Sequence, residues 1–279
     1  MPAVMTSAGR RRSLIMPREH GAWGILLVPL LTGAFVGLWA GGGTAGLAPF
    51  SIVALALFWL RTPVESWIGT APVRARTPDE LRLVRSTALV IVAVSLGALT
   101  WLFWRGRNSA LLWIGAAAGV AFLVQSVLKR IWRSARTAAQ MIGAAGLTAT
   151  APAGYYVVTG HLDAAAWSLW AANLLFAINQ IHFVQLRIHA AHTTSRSEKL
   201  SAGRWFLIGQ ATLMALLAIA CARRHFRWSA AAAFLPVLFR GFAWFVKEPE
   251  PLAIQALGKK ELVYAAIFGV SLVVGMQLS

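Results

Sequence analysis

The stretch Arg18-Glu19-His20-Gly21-Ala22-Trp23-Gly24-Ile25-Leu26, with the apolar run that continues it to Ala40, decides the fold of this chain. Pro17 stands just before it, at a place in a first helical turn where a missing N–H costs nothing. Glu19 falls in that first turn, where the positive end of the helix dipole favours an anion. Trp23 follows four residues later on the same face, at a depth suited to the membrane interface. Gly21 and Gly24 carry no side chains and admit a second helix at close range. Residues 21–40 hold no charge at all and are long enough to cross a hydrocarbon core as a helix. The stretch reads as the mouth of a first membrane helix, furnished with an acid and an imidazole.

That pattern recurs along the chain. Of 279 residues, 58% are hydrophobic and only 13% charged, with 13 Trp and 14 Phe, which excludes an ordinary soluble domain. Apolar runs at about 21–40, 46–60, 87–104, 110–128, 138–158, 164–186, 203–221, 228–246 and 261–278 predict an all-α, polytopic membrane protein of about nine transmembrane helices. One transmembrane helical domain is expected over 16–279. Residues 1–15 form a basic tail without a hydrophobic period, expected to be mobile. Arg18, Glu19 and His20 separate that tail from the apolar run, so it is not read as a cleavable signal. The single cysteine, Cys221, excludes an internal disulfide and any multi-cysteine metal site.

A net charge of +17 would suggest nucleic acid in a soluble protein. Here the cations lie between apolar runs, where they read as topology signals and anchors for anionic membrane lipids, so no nucleic-acid partner is expected. Twenty of them fall in the N-terminal segment and alternate connections, against five in the remaining connections. The positive-inside rule then puts the N-terminus and the loops 61–86 and 187–202 in the cytoplasm, and the C-terminus outside.

The polar residues inside the runs are unevenly spread. Gln125, Gln140, Asn179, Gln180, His182, Gln210 and Arg240 all belong to cytoplasmic halves of their spans. Asn173, Gln180 and Arg187, seven apart, form one helical stripe, and His182, Gln185 and His189 form another. Pro152, among several small residues, is expected to kink the fifth span or free a carbonyl. Amides and charges in hydrocarbon cost least when they share partners, water or a ligand. Glu19, His20, Arg61, Glu65, Gln180, His182, Arg187 and Arg240 are therefore expected to approach one cytoplasmic-side cavity. Glu19, His20 and Glu65 are the candidate catalytic groups, and Arg61, Gln180, His182, Arg187 and Arg240 the candidate substrate-binding groups. His182, His189 and His192 raise the question of metal or haem, but residues 179–192 hold no carboxylate to support them, and no metal or cofactor is assigned.

Glu19-His20-Gly21-Ala22-Trp23, followed by an apolar run containing Pro29, resembles the N-terminal signature of the YwiC-like family of bacterial membrane proteins. The segment Phe58-Trp59-Leu60-Arg61-Thr62-Pro63-Val64-Glu65 and the end of the sixth run near Arg187 are also similar to that family. The nine-span plan, with long cytoplasmic loops after the second and sixth runs, is similar to the UbiA prenyltransferase superfamily. In those enzymes two aspartate-rich motifs in these regions hold Mg²⁺ and a prenyl diphosphate. Here Glu65 is the only acid after the second run before Asp79 and Glu80, and none follows the sixth before Glu198. Two Mg²⁺ ions need more oxygen ligands than that. The resemblance implies a UbiA-like helical bundle in the bacterial cytoplasmic (inner) membrane. Such a bundle binds an isoprenoid or quinone-like lipid, and as a transferase would modify it, without the Asp-rich metal motifs. A small-solute transporter and a non-catalytic quinone-binding or assembly partner of a respiratory complex are the alternative readings.

Overall fold

The computed structural model describes residues 7–17, 20–71, 73–104, 106, 109–131, 136–193, 195–248 and 252–278. All its regular elements there are helices: α1 (Ser7–Ile15), α2 (His20–Trp39), α3 (Leu47–Ile68), α4 (Pro78–Trp104), α5 (Ser109–Ile131), α6 (Arg136–Thr148), α7 (Thr150–Thr159), α8 (Ala164–His189), α9 (Arg196–Ala222), α10 (Trp228–Ala231), α11 (Leu235–Val246) and α12 (Ile254–Gln277), with a 3₁₀ turn, Ala232–Phe234, joining α10 to α11. Among the described residues six stretches are long and apolar enough to cross a membrane: Gly21–Trp39, Leu47–Ile68, Pro78–Trp104, Ala110–Ile131, Arg196–Ala222 and Trp228–Val246. The helices α8 and α12 match them in length, at 26 and 24 residues, but are not among those six.

Helices run further than the apolar runs that seed them. α3 continues through Arg61, Pro63 and Glu65 to Ile68, and α4 starts at Pro78, so most of the expected 61–86 loop is helical. Arg61 and Glu65, four apart on α3, pair across one turn at 3.1 Å and support that extension. At the other expected loop, α8 reaches His189 and α9 starts at Arg196, where Ser195 caps it by accepting from the Glu198 amide.

Residues 7–15, placed by the sequence in an unpatterned tail, form α1. The Arg10 guanidinium donates to Glu80 Oε1 at 2.6 Å and to the Arg74 carbonyl at 3.0 Å, Leu14 is fully buried, and the Trp59 indole N–H donates to the Ile15 carbonyl at 2.6 Å. These partners lie far along the chain, so no local period announces them.

α2 runs through the bundle against α6, α7, α8 and α12. Its crossing with α7 is close because glycine faces backbone there: a Cβ on Gly33 would stand 2.0 Å from the Ala151 carbonyl oxygen, and one on Gly154 3.1 Å from that of Leu30. The Asn173 amide donates to the Thr32 hydroxyl at 3.0 Å and ties α2 to α8. Around this crossing lie one core with Phe176 stacked on Phe268 at 4.1 Å and another with Phe50, Leu102 and Val157. α4 and α5 turn Leu89, Val90, Leu96, Trp113 and Leu123 outward, a surface suited to lipid chains.

The fifth apolar run is broken at Ala149, between α6 and α7. Pro152 has no N–H to give the carbonyl of residue 148, so one helical hydrogen bond is missing at the break. The Thr150 hydroxyl donates to the Leu147 and Leu26 carbonyls, covering part of the break.

α8 begins at Asp163, whose carboxylate accepts from the Ala166 amide at 3.1 Å and from the Tyr155 hydroxyl at 2.8 Å. Burial pushes this carboxyl up, but those donors, the Ala165 amide and the neighbouring His161 outweigh it and hold the group below the usual carboxylate range. The folded carboxyl thus stabilises the protein above its ordinary pKa, and that contribution is lost as pH falls through the lowered folded value. Asp163→Ala is expected to lower the stability of the purified protein by about 1–2 kcal/mol at pH 7 through loss of the cap. In thermal unfolding, the gap between wild type and Asp163→Asn should narrow from pH 7 to pH 3. A gap that stays constant would show that the charge contributes nothing.

Candidate functional site

α2, α3, α5, α6, α8 and α12 line an open-mouthed cavity of about 340 Å³. Its size lies within the range of small-ligand sites. Gly21 borders it, and the space beyond its missing side chain is open. The same wall carries Arg61 from α3 and Gln125 and Lys129 from α5. Glu65 joins this group: Arg61 Nε donates to its Oε1 at 3.1 Å, and the Lys129 ammonium lies 3.7 Å from the same oxygen. The Gln185 amide donates to Gln140 Oε1 at 3.0 Å and links α8 to α6 across the floor.

Another part of the lining comes from α8 and α12. Gln180 donates to the Glu261 carbonyl at 2.9 Å, and both residues line the cavity. Behind them Glu261 Oε2 is ion-paired with Arg240 of α11, and both side chains are buried. Arg240 also donates to Asn179 Oδ1 at 3.3 Å, whose amide donates to Gln210 Oε1 at 3.1 Å. The guanidinium stands 4.1 Å from the Phe183 ring centre and 5.0 Å from that of Tyr264, adding cation–π attraction to the pair. Four helices, α8, α9, α11 and α12, are joined by this buried chain. Gln180 Oε1 and Glu261 Oε1 remain without a hydrogen-bond partner.

A second cavity, about 380 Å³, lies between α3, α5 and the α6–α7 break. Leu57, Phe58, Phe122 and Leu147 give it an apolar surface, and Gly115 and Gly119 leave it open along α5. It shares Arg61, Gln125, Gly143 and Leu147 with the polar cavity. Gln125 lies across Gly143, where a Cβ would fall 2.3 Å from its Oε1, so the partition between the chambers is a side chain resting on a glycine.

The expected site residues are distributed as follows. Arg61 and Gln180 line the polar cavity, Glu65 pairs with Arg61 at its edge, and Arg240 stands behind its Glu261 wall. Arg187 borders a small recess with Thr193, Lys199 and Trp244 instead, although its charge acts on the Glu261 carboxylate. His182 turns to α9, edge-on to Phe206 at 5.4 Å and against Gly209, and lines neither cavity. His20 opens α2 next to Gly21, with its side chain outside the described residues; Glu19 lies outside them altogether. Lys129 and Glu261 were not anticipated as site residues. Lys129 reads as one loop cation among many, and Glu261, beside Lys259 and Lys260, reads as the mouth of a last span. Its signal was available in Arg240, a cation within an apolar run that needs an acid at matching depth. No cluster of three or more histidine, cysteine or carboxylate side chains suited to a metal occurs among the described residues.

A family described as YwiC-like protein matches residues 16–155 of the chain. That region includes the Arg61, Glu65, Gln125 and Lys129 wall and stops before the Gln180 and Glu261 wall. No curated protein and no solved structure matches the chain.

Proposed function

The chain belongs to the YwiC-like protein family, and on that footing we propose that it is a multi-pass protein of the bacterial inner membrane that binds an anionic, lipid-like molecule in its paired cavities. The observation that carries this reading is the shared wall: a chamber bearing Arg61 and Lys129 adjoins an apolar chamber through Arg61, Gln125 and Gly143. An amphiphile has that division of chemistry, with the head held by guanidinium and ammonium donors and the tail laid between α3 and α5. Isoprenoid and quinone-like lipids with an anionic head fall within this class. Glu65, in contact with both cations, orients them for the head.

The topology belongs to the same proposal. α8, α12 and the interrupted α6–α7 pair supplement the six plainly apolar helices, giving nine passes with the N-terminus in the cytoplasm and the C-terminus outside. The twenty-to-five division of cations supports that orientation. This is the pass count of a UbiA-like bundle, here lacking its aspartate-rich motifs.

The test is ligand retention, read by native mass spectrometry of protein purified in a maltoside detergent and offered dodecyl phosphate. Gly119→Leu fills the apolar chamber at a position where nothing lies within 4 Å of the added Cβ. It is expected to weaken binding at least tenfold while the protein still folds, and Arg61→Gln is expected to do the same from the head side. Gly97→Leu, equally open but lining neither cavity, should bind as wild type does. Binding that is indifferent to Gly119→Leu, or equal retention of inorganic phosphate, would replace the lipid reading with that of a small-solute site.

A further inference from the structure

Three helices change character at the level where the two cavities meet. On α5, Phe122, Gln125 and Lys129 follow at intervals of three and four, so one face runs from an aromatic ring through an amide to an ammonium. On α3, Leu57 lines the apolar chamber, and Arg61, one turn further on, lines both. On α6, Leu147 and Gly143 border both chambers and Gln140 only the polar one. Gln125 stands at this boundary. It is 6% exposed, borders both cavities and lays its whole amide over the missing side chain of Gly143. Among the described residues that amide has no hydrogen-bond partner, and neither of its polar atoms is sealed from contact as Glu261 Oε1 is. Gln140, by contrast, already accepts from Gln185. An amide offers two N–H donors and a carbonyl acceptor, and at such burial these are normally paired. The chambers are the side from which a partner can reach them.

We infer that Gln125 determines the specificity of this site by selecting amphiphiles with a hydrogen-bonding linkage, an ester or amide carbonyl, between the anionic head and the apolar tail. This rests on the reading of the paired cavities as an amphiphile site, and it adds what must join the two parts. A molecule with its head at Lys129 and its tail at Phe122 has to pass Gln125. Four residues of helix separate Gln125 from Lys129, a rise of about 6 Å. A phosphate held by Arg61 and Lys129 and a carbonyl met by the Gln125 N–H groups are therefore a few bonds apart, as they are in an acylated glycerol phosphate. A plain alkyl phosphate has no polar atom at that level and leaves the amide unpaired, so it binds less tightly. A hydrogen bond between uncharged groups is worth roughly three- to tenfold in affinity.

Two probes isolate the linkage: 1-dodecanoylglycerol 3-phosphate and its ether counterpart, 1-dodecylglycerol 3-phosphate. They share head, hydroxyl and chain length and differ in one carbonyl oxygen. Affinities are measured on the full chain in maltoside detergent by native mass spectrometry. The ester is expected to bind about fivefold tighter than the ether. Gln125→Met, which keeps the length of the side chain and removes the amide, should bring the two within about twofold. Gly143→Ala should do the same from the other helix. The atoms nearest its new Cβ belong to the flexible Gln125 side chain, so the amide is displaced and the helices need not part. Gly97→Leu, lining neither cavity, should keep the wild-type ratio. A loss of stability weakens both probes alike, so the ratio reports the amide itself. A ratio at or below one in wild type, or a preference that persists in Gln125→Met, overturns the selection and leaves the amphiphile reading standing. Where Gln125→Met fails to fold, persistence in Gly143→Ala overturns it equally. Failure of wild type to retain either probe overturns both.

Discussion

Arg240→Met is expected to destabilise the protein by about 3–5 kcal/mol, because it leaves the Glu261 carboxylate buried without its cation. Both members of the pair are nearly inaccessible, with side-chain exposures of 7% and 4%. The loss also strips Asn179 of its guanidinium donor and so loosens the chain that reaches Gln210. Replacing both partners, as Arg240→Met with Glu261→Met, should recover most of the loss, since removing two buried charges together leaves neither unpaired. Thermal unfolding in detergent, followed by tryptophan fluorescence, distinguishes the cases. Equal damage from the single and double variants would mean that Arg240 acts through packing on Phe183 and Tyr264 and not through its charge.

Gly33→Ala should be at least as damaging, at about 3 kcal/mol or more, although it adds a single methyl group. The new Cβ would stand 2.0 Å from the Ala151 carbonyl oxygen and 2.8 Å from its carbon. Backbone cannot swing aside as a flexible side chain can, so α2 and α7 must separate along their whole crossing. Gly97→Ala is the matched control: nothing lies within 4 Å of the added atom, and loss of glycine's freedom should leave stability unchanged or raised by about 0.5–1 kcal/mol. Gel filtration and melting of the two variants side by side provide the measurement. If Gly33→Ala melts with Gly97→Ala, the close crossing is not what holds these helices.

The helical membrane class was legible because hydropathy is a local property: the run after Trp23 and the runs of α3, α4, α5 and α9 announce themselves within their own residues. Their ends were less legible. α3 passes through Arg61 and Glu65 because an i,i+4 ion pair carries the helix beyond its apolar part, and a window that counts charges stops short of that. α1 was missed for a related reason, since Arg10 finds its acid at Glu80 and Leu14 its packing on helices that come later. The break at Ala149 was foreshadowed by Pro152, because the effect of a proline is confined to one turn.

In the site, the sequence pointed to Gln180 through its helical stripe and to Arg61 through its charge, but could not distinguish the faces of α8. His182 and Gln180 are two residues apart, so roughly 200° separates them on a helix, and only packing decides which meets the cavity. Phe206 and Gly209 accept the imidazole, which leaves Gln180 for the chamber. Glu261 was overlooked because two lysines precede it; helix α12 in fact begins at Ile254 and carries it two turns inward.

The Arg240–Glu261 pair also bears on how the protein is made. Chains emerge from the ribosome N-terminus first, so α11 leaves it before α12 does. During that interval Arg240 lacks the one carboxylate that it meets among the described residues. A guanidinium in that position favours the membrane surface over the bundle interior. Closure of the bundle around α8, α9 and α11 is therefore deferred until residue 261 has left the ribosome, and the last helix carries the counter-charge that lets the earlier ones settle.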